Sequence, residues 1–172
     1  MTHPMQDAFA HHNWATLRLM EACGALTPEQ LETFAPGTYG SILDTMRHLV
    51  SADSSYLFVC SGQTEGPPID DDDEATMDLP ALRAAMERFG PKWTALLAHD
   101  PDPDTVLVRH RPDGSETAAP LGIRLAQVVH HGTDHRSQIC TALTTLGVQP
   151  PFIDVWDFGE QDGRVTETPP TA

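Results

Sequence analysis

Four stretches of this chain place apolar side chains at three- and four-residue steps, and that period leaves little choice of fold class. In MQDAFAHHNWATLRLMEACGA, residues 5–25, Phe9, Trp14, Leu17 and Met20 fall at helical spacing. Residues 41–60 carry Ile42, Leu43, Met46, Leu49, Val50, Tyr56 and Leu57 on an apolar face, and Ser41 with Asp44 makes an S-x-x-D start signal. DLPALRAAMERFGPKWTALLAHD, 78–100, starts on Asp78 as N-cap, although Gly90-Pro91 should kink or interrupt it. The last long segment, about Leu121 to Leu146, stops at Gly147, a residue that tolerates the left-handed turn ending a helix. With almost no strand signal, the economical solution is an all-α four-helix bundle.

The connections are short or polar. TPEQL at 27–31 predicts one helical turn, with Thr27 as N-cap, Pro28 first and Gln30 closing a capping box. APGTYG at 35–40 breaks the chain. Residues 61–78, SGQTEGPPIDDDDEATMD, are expected to be a solvated loop; the run Asp70 to Glu74 lacks the spacing and glycine of a calcium-binding EF-hand. TVLVRHRPDGSETAAP, 105–120, predicts a short hairpin or extended link turning at Pro112-Asp113-Gly114. QPPFIDVWDF, 149–158, is expected to pack as an irregular segment, leaving 1–158 as a single domain and 159–172 as a flexible tail.

Composition removes several functions. Ten Lys and Arg face 25 Asp and Glu, for a formal net charge of -15. Such a surface repels phosphate, so neither nucleic acid nor an anionic membrane is an expected partner. No window approaches the roughly 18 apolar residues of a membrane span. MTHPMQDAFAHH lacks a basic start followed by an apolar run, so a cytoplasmic protein is expected. Cys23, Cys60 and Cys140 are scattered and odd in number, which suits reduced, apolar-like residues better than a disulfide framework or a cysteine-rich zinc site.

Chemistry concentrates in VVHHGTDHRSQI, residues 128–139, which holds three of nine histidines. His131 and His135 are four apart, hence one turn apart on one helix face, and they fit gaps in the stripe of Leu125, Val128, Gly132, Ile139, Ala142, Leu143 and Leu146. His130 lies about 100° round the helix. Two imidazoles at this spacing can share a metal ion, but a catalytic metal needs a third ligand. His48, in DTMRHLVSAD, stands at or beside the buried face of the second long segment and supplies one. Hydrogen-bonded core packing is the alternative. Burying imidazoles without partners costs about 1–3 kcal/mol each, a cost that a metal removes. Asp44, one turn before His48, is a candidate to orient it, and equally a cap with Ser41. Asp134 is the other candidate, with surface pairing to His130 or Arg136 as its simpler role. Trp14 and Tyr56 suit pocket or core, and His11 and His12 could approach from the first helix.

These features together resemble the DinB/YfiT-like family of metalloenzymes. Three stretches carry the likeness in order: HNWATLRLM at 12–20, GSILDTMRHLVSAD at 40–53, and 128–158, where His131, His135, Arg136 and Gln138 spell H-x-x-x-H-R-x-Q before Leu-Gly and Pro-Pro. The resemblance implies an up-down-down-up bundle that often forms homodimers. It also implies a divalent metal, zinc or nickel, on His48, His131 and His135. That open site would activate a thiol or water, for S-transfer with a low-molecular-weight thiol or for hydrolysis of a small molecule, in stress response or detoxification. A non-catalytic metal-binding stress or sensor bundle is the alternative. Two departures stand out. Thr16 occupies a position where the family often has Asn, and histidine at all three ligand places argues against the maleylpyruvate isomerase branch, which uses Glu at one.

Overall fold

The computed structural model describes residues 4–111 and 113–168. Its elements are α1 (Pro4–Cys23), α2 (Pro28–Leu31), α3 (Ile42–Cys60), α4 (Asp71–Thr76), α5 (Leu79–Leu97), β1 (Val106–His110), β2 (Glu116–Pro120), α6 (Leu121–Thr145) and α7 (Val155–Gln161). Local chemistry marks several of the helix ends. Ser41 accepts from the Asp44 amide and Asp78 from that of Ala81, satisfying amides the first turns leave free. Thr27 and Gln30 form the expected capping box. Gly147, at φ 74°, closes α6 while the Val148 amide reaches back to Leu143 O at 3.0 Å.

Packing sets the topology. α1 lies against α5 and α6, and α3 against the same two, so α1 and α3 face each other diagonally. Gln6 meets Leu97 and Phe9 meets Trp93, so α1 and α5 run antiparallel. Tyr39 meets Gln138 and Tyr56 meets His131, so α3 and α6 are antiparallel too. Arg47 meets Met77 and Asp53 meets Trp93, which makes α3 and α5 parallel. The bundle is therefore up-down-down-up. Its core, with Leu19, Met46, Leu49, Leu82, Met86, Trp93, Ile139 and Leu143 fully buried, lies between all four helices.

Three expectations change. Pro91 does not interrupt α5: it sits on the solvent face, while Gly90 packs so closely on α1 that an added Cβ would lie 2.6 Å from Asn13 Nδ2. Interhelical packing outweighs the one lost backbone bond. The acidic stretch is not all loop: Asp70 caps α4 through the Asp73 amide, and four acids in the first turn suit the helix dipole. Ser54 Oγ accepts from the Ile69 amide and Arg47 Nε donates to Met77 O, which holds this stretch against α3. The segment expected to be irregular before residue 158 ends in α7, capped by Asp154, and the helix continues to Gln161, inside the stretch expected as tail. Arg164 then pairs with Asp7 at 2.6 Å.

The link before α6 is an antiparallel hairpin with Val106 opposite Pro120 and His110 opposite Glu116. Gly114, at φ 84°, donates to Arg111 O in its turn; Pro112 of that turn, like the end of the tail from residue 169, lies outside the described residues. The buried Arg124 of α6 donates to Leu107 O at 3.0 Å and Thr117 O at 2.8 Å, fastening both strands to the bundle. Among the described residues no helix is long and apolar enough to cross a membrane.

Candidate metal centre

His131 and His135 project from one face of α6, and His48 meets them from the antiparallel α3. His131 Nε2 lies 3.2 Å from His48 Nε2 and 3.1 Å from His135 Nε2, and one ring nitrogen from each of the three falls within 4.8 Å of the others. His135 is buried, and His48 and His131 are half-buried at the edge of the bundle.

Hydrogen bonding orients this set. The backbone N–H of Tyr39 can only donate, and it meets Gln138 Oε1 at 3.0 Å. That oxygen also lies 3.0 Å from His135 Nδ1, so Nδ1 carries the proton and donates to it. In the neutral ring His135 Nε2 is then a bare lone pair aimed at His131. One proton on His131 Nε2 can serve only one of its two nitrogen neighbours. An ion accepting three lone pairs satisfies all of them. Nitrogen ligands at about 2.0–2.1 Å around a tetrahedral ion stand about 3.3 Å apart, close to two of the separations seen here. The donor set therefore fits a divalent metal.

Burial and neighbouring imidazoles keep His131 and His48 in their ligating form. Burial pushes His131 down to about 4, with His135 and His48 adding to the shift. Burial and then His135 lower His48, against a raising influence from Glu74. Tyr39 stacks flat on His48, ring centres 4.1 Å apart and planes 11° from parallel, and Tyr56 meets the edge of His131.

Beneath the histidines runs a buried polar chain that joins four helices. Arg136 Nη1 donates to His12 Nδ1 at 3.0 Å and Thr16 Oγ1 at 3.1 Å. His12 therefore carries its proton on Nε2, which faces Asp53 Oδ1 at 3.4 Å, longer than a strong hydrogen bond. Trp93 Nε1 approaches the other Asp53 oxygen at 3.4 Å. Burial lowers Arg136 to about 10, and Asp53 opposes the shift, so the guanidinium stays charged at neutral pH. Gly132 leaves the room: a Cβ there would lie 2.3 Å from His12 Cε1.

The other residues singled out from sequence lie elsewhere. Asp44 accepts from Ser41 Oγ at 2.8 Å and pairs with Arg47 at 3.3 Å, a capping arrangement, although it lines a cavity with His48. Asp134 and His130 are exposed. His11 Nε2 donates to Ile153 O, and Trp14 bonds Gln161 and packs on Phe158, so both serve α7 and its approach. Cys23, Cys60 and Cys140 are free thiols, the first two pushed up to about 12 by burial. Sequence reasoning passed over Tyr39, Asp53, Glu74 and the role of Gln138. Only the D-x-x-D spacing of Asp70 and Asp73 signalled the helix that brings Glu74 to the cavity wall.

A family model described as the DinB family matches residues 1–167. The fold is similar to that of YfiT from Bacillus subtilis, which is described as a probable metal-dependent hydrolase with an unusual four-helix bundle topology. The TM-score is 0.62 at 21% identity, over 87% of this chain and 91% of that chain. None of the curated proteins compared matches in sequence. At this identity the structural likeness speaks for the fold. The family match spans nearly the whole chain, and with it we conclude that the protein belongs to the DinB family.

Proposed function

We infer that this protein is a divalent-metal-dependent enzyme acting on a small molecule, with the ion on Nε2 of His48, His131 and His135. The observation that carries this reading is the convergence of the three Nε2 atoms, one of them stripped of its proton by the Gln138 bond on the far side of its ring. Three protein ligands leave a position open, as catalytic rather than structural zinc sites do. A divalent ion there would lower the pKa of a water or thiol ligand and so supply a nucleophile near neutral pH.

The chain's own part is to orient and enclose. Gln138 sets the tautomer of His135, Tyr39 covers one face of His48, and Tyr56 holds the edge of His131. His48 opens onto two cavities of about 810 and 280 Å³ between α3 and α4, enough for a small substrate. Hydrolysis is the preferred chemistry, supported by the description of YfiT. S-transfer with a low-molecular-weight thiol uses the same open position. Zinc and nickel are the metals proposed, since both suit imidazole. A homodimer working in the cytoplasm in stress response or detoxification completes the proposal.

The test is metal content by elemental mass spectrometry on untagged protein, beside His48→Ala and His131→Ala. The expected result is about one equivalent of transition metal in the wild type and loss in both variants. No metal after incubation with zinc or nickel overturns the reading. Turnover of an electrophilic substrate with and without added thiol then separates S-transfer from hydrolysis.

A further inference from the structure

We propose that Arg109 anchors an anionic group of the substrate, so that the molecule acted on is a small organic anion, a carboxylate or a phosphate monoester, with an apolar flank. The proposal rests on the metal-centre reading for where the reactive end lies.

Arg109 sits on β1, in a hairpin clamped to α6 by the two bonds of Arg124. Its neighbours on the strand and at its end are committed. His110 Nδ1 pairs with Glu116 at 2.8 Å, and Arg111 Nη1 donates to Ser115 and Thr117. The Arg109 backbone pairs with Thr117 in the ladder, but its half-buried side chain has no hydrogen-bond or ion-pair partner among the described residues. A guanidinium carries five donors in a planar fork suited to two-point contact with carboxylate or phosphate. Leaving such a group partly desolvated and unpaired is costly, and an incoming anion removes the cost.

Its location gives the free fork a use. Arg109 lines the cavity of about 280 Å³ that reaches His48, His131 and Tyr56. It also lines a neighbouring cavity of about 440 Å³, where Phe58, Val59, Pro68 and Ile69 make an apolar wall beside the polar Asp70, His110 and Arg111. Both share Ser55, Pro68, Ile69 and Asp71, so they form one groove. The histidines stand at one end, the guanidinium in the middle and an apolar wall at the other. Asp71 and Glu74 also face the histidine end and Asp70 lines the far cavity, but none of the three pairs with Arg109. Arg111 lines the far cavity as well. With a divalent ion on neutral histidines, that ion and the two guanidinium groups outweigh the three carboxylates, and the groove favours an anion.

The probes are benzoate and phenyl phosphate, with benzylamine as the cationic counterpart. They are titrated into metal-free and zinc-loaded protein, followed by calorimetry and by the Arg109 Nε–Hε NMR signal. The metal-free arm separates the guanidinium from direct ligation of zinc. Saturable movement of the Arg109 signal is expected, with affinity about tenfold or more weaker in Arg109→Gln, the loss of a charge-assisted hydrogen bond. Arg109→Lys should keep part of the binding. Arg83→Gln, at the partner of Glu87 on α5 outside the groove, should keep all of it, and zinc content should stay unchanged in each. The tighter probe identifies the anion as carboxylate or phosphate. An unmoved Arg109 signal, equal affinity in Arg109→Gln, or preference for benzylamine in the zinc-loaded protein overturns the proposal. Anion binding in a protein that takes up no zinc would sink the metal reading and leave this one standing.

Discussion

Gly132→Ala sets two physical rules against each other. On an ordinary helix face the change stabilises by about 0.5–1 kcal/mol, because alanine loses less backbone freedom on folding. Here the new Cβ would lie 2.3 Å from His12 Cε1, 2.5 Å from His12 Nδ1 and 2.9 Å from Arg136 Nη1. Neither neighbour can retreat: His12 is 1% exposed and Arg136 3%. Overpacking of a filled core costs roughly 1–3 kcal/mol. Pushing His12 off Arg136 leaves buried polar atoms unpaired for about 1–3 kcal/mol more. The net expectation is a loss of about 3 kcal/mol, or roughly 6–12 °C in melting temperature for a chain of this size. Urea denaturation with calorimetry measures it. In a His12→Ala background the same glycine change should cost less, because the ring it strikes is gone. A midpoint unchanged or raised in Gly132→Ala, or strict additivity of the two changes, would refute the steric argument.

The remaining predictions concern the site. Gln138→Leu leaves His135 Nδ1–H without its acceptor and should weaken zinc binding by about 10–100-fold in a competition titration, with the fold retained by circular dichroism. Metal-free protein should lose stability as pH falls from 6.5 toward about 4. His131 has its folded pKa depressed, so the unfolded chain takes up the proton first, and the contribution is complete only above the ordinary value. Denaturation midpoints across that interval should show a shallower slope in His131→Ala; an identical slope would mean that the ring is not the group responsible.

Much of the fold was legible because its causes are local. Apolar spacing reports a helix face wherever a helix must bury one side, and Ser41, Thr27, Asp78 and Gly147 mark ends through bonds to neighbours a few residues away. The i, i+4 spacing of His131 and His135 is equally local, and the fold places His48 beside them. Pro91 misled because its effect depends on which side of α5 meets α1. Asp44 offered itself as a partner of His48 by spacing alone, but its oxygens are taken by Ser41 and Arg47, which are nearer in both chain and space.

Tertiary structure decided whatever needed two distant segments. Tyr39 and Gln138 are 99 residues apart, and only the antiparallel meeting of α3 and α6 lets one backbone amide determine the tautomer of His135. Arg136 and His12 are 124 residues apart, and nothing in HNW or HRSQ announces that they share a buried bond, or that Thr16 receives a second one. Arg109 is one basic residue among several until the hairpin docks and leaves its side chain facing the histidine cavity, unpaired among the described residues. The sequence by itself determined helices, caps and the types of ligand available, since those depend on periodicity and on contacts within a turn. Protonation, orientation and the content of the groove belong to the folded state, because they depend on which side chains share a space and which polar atoms find no other partner.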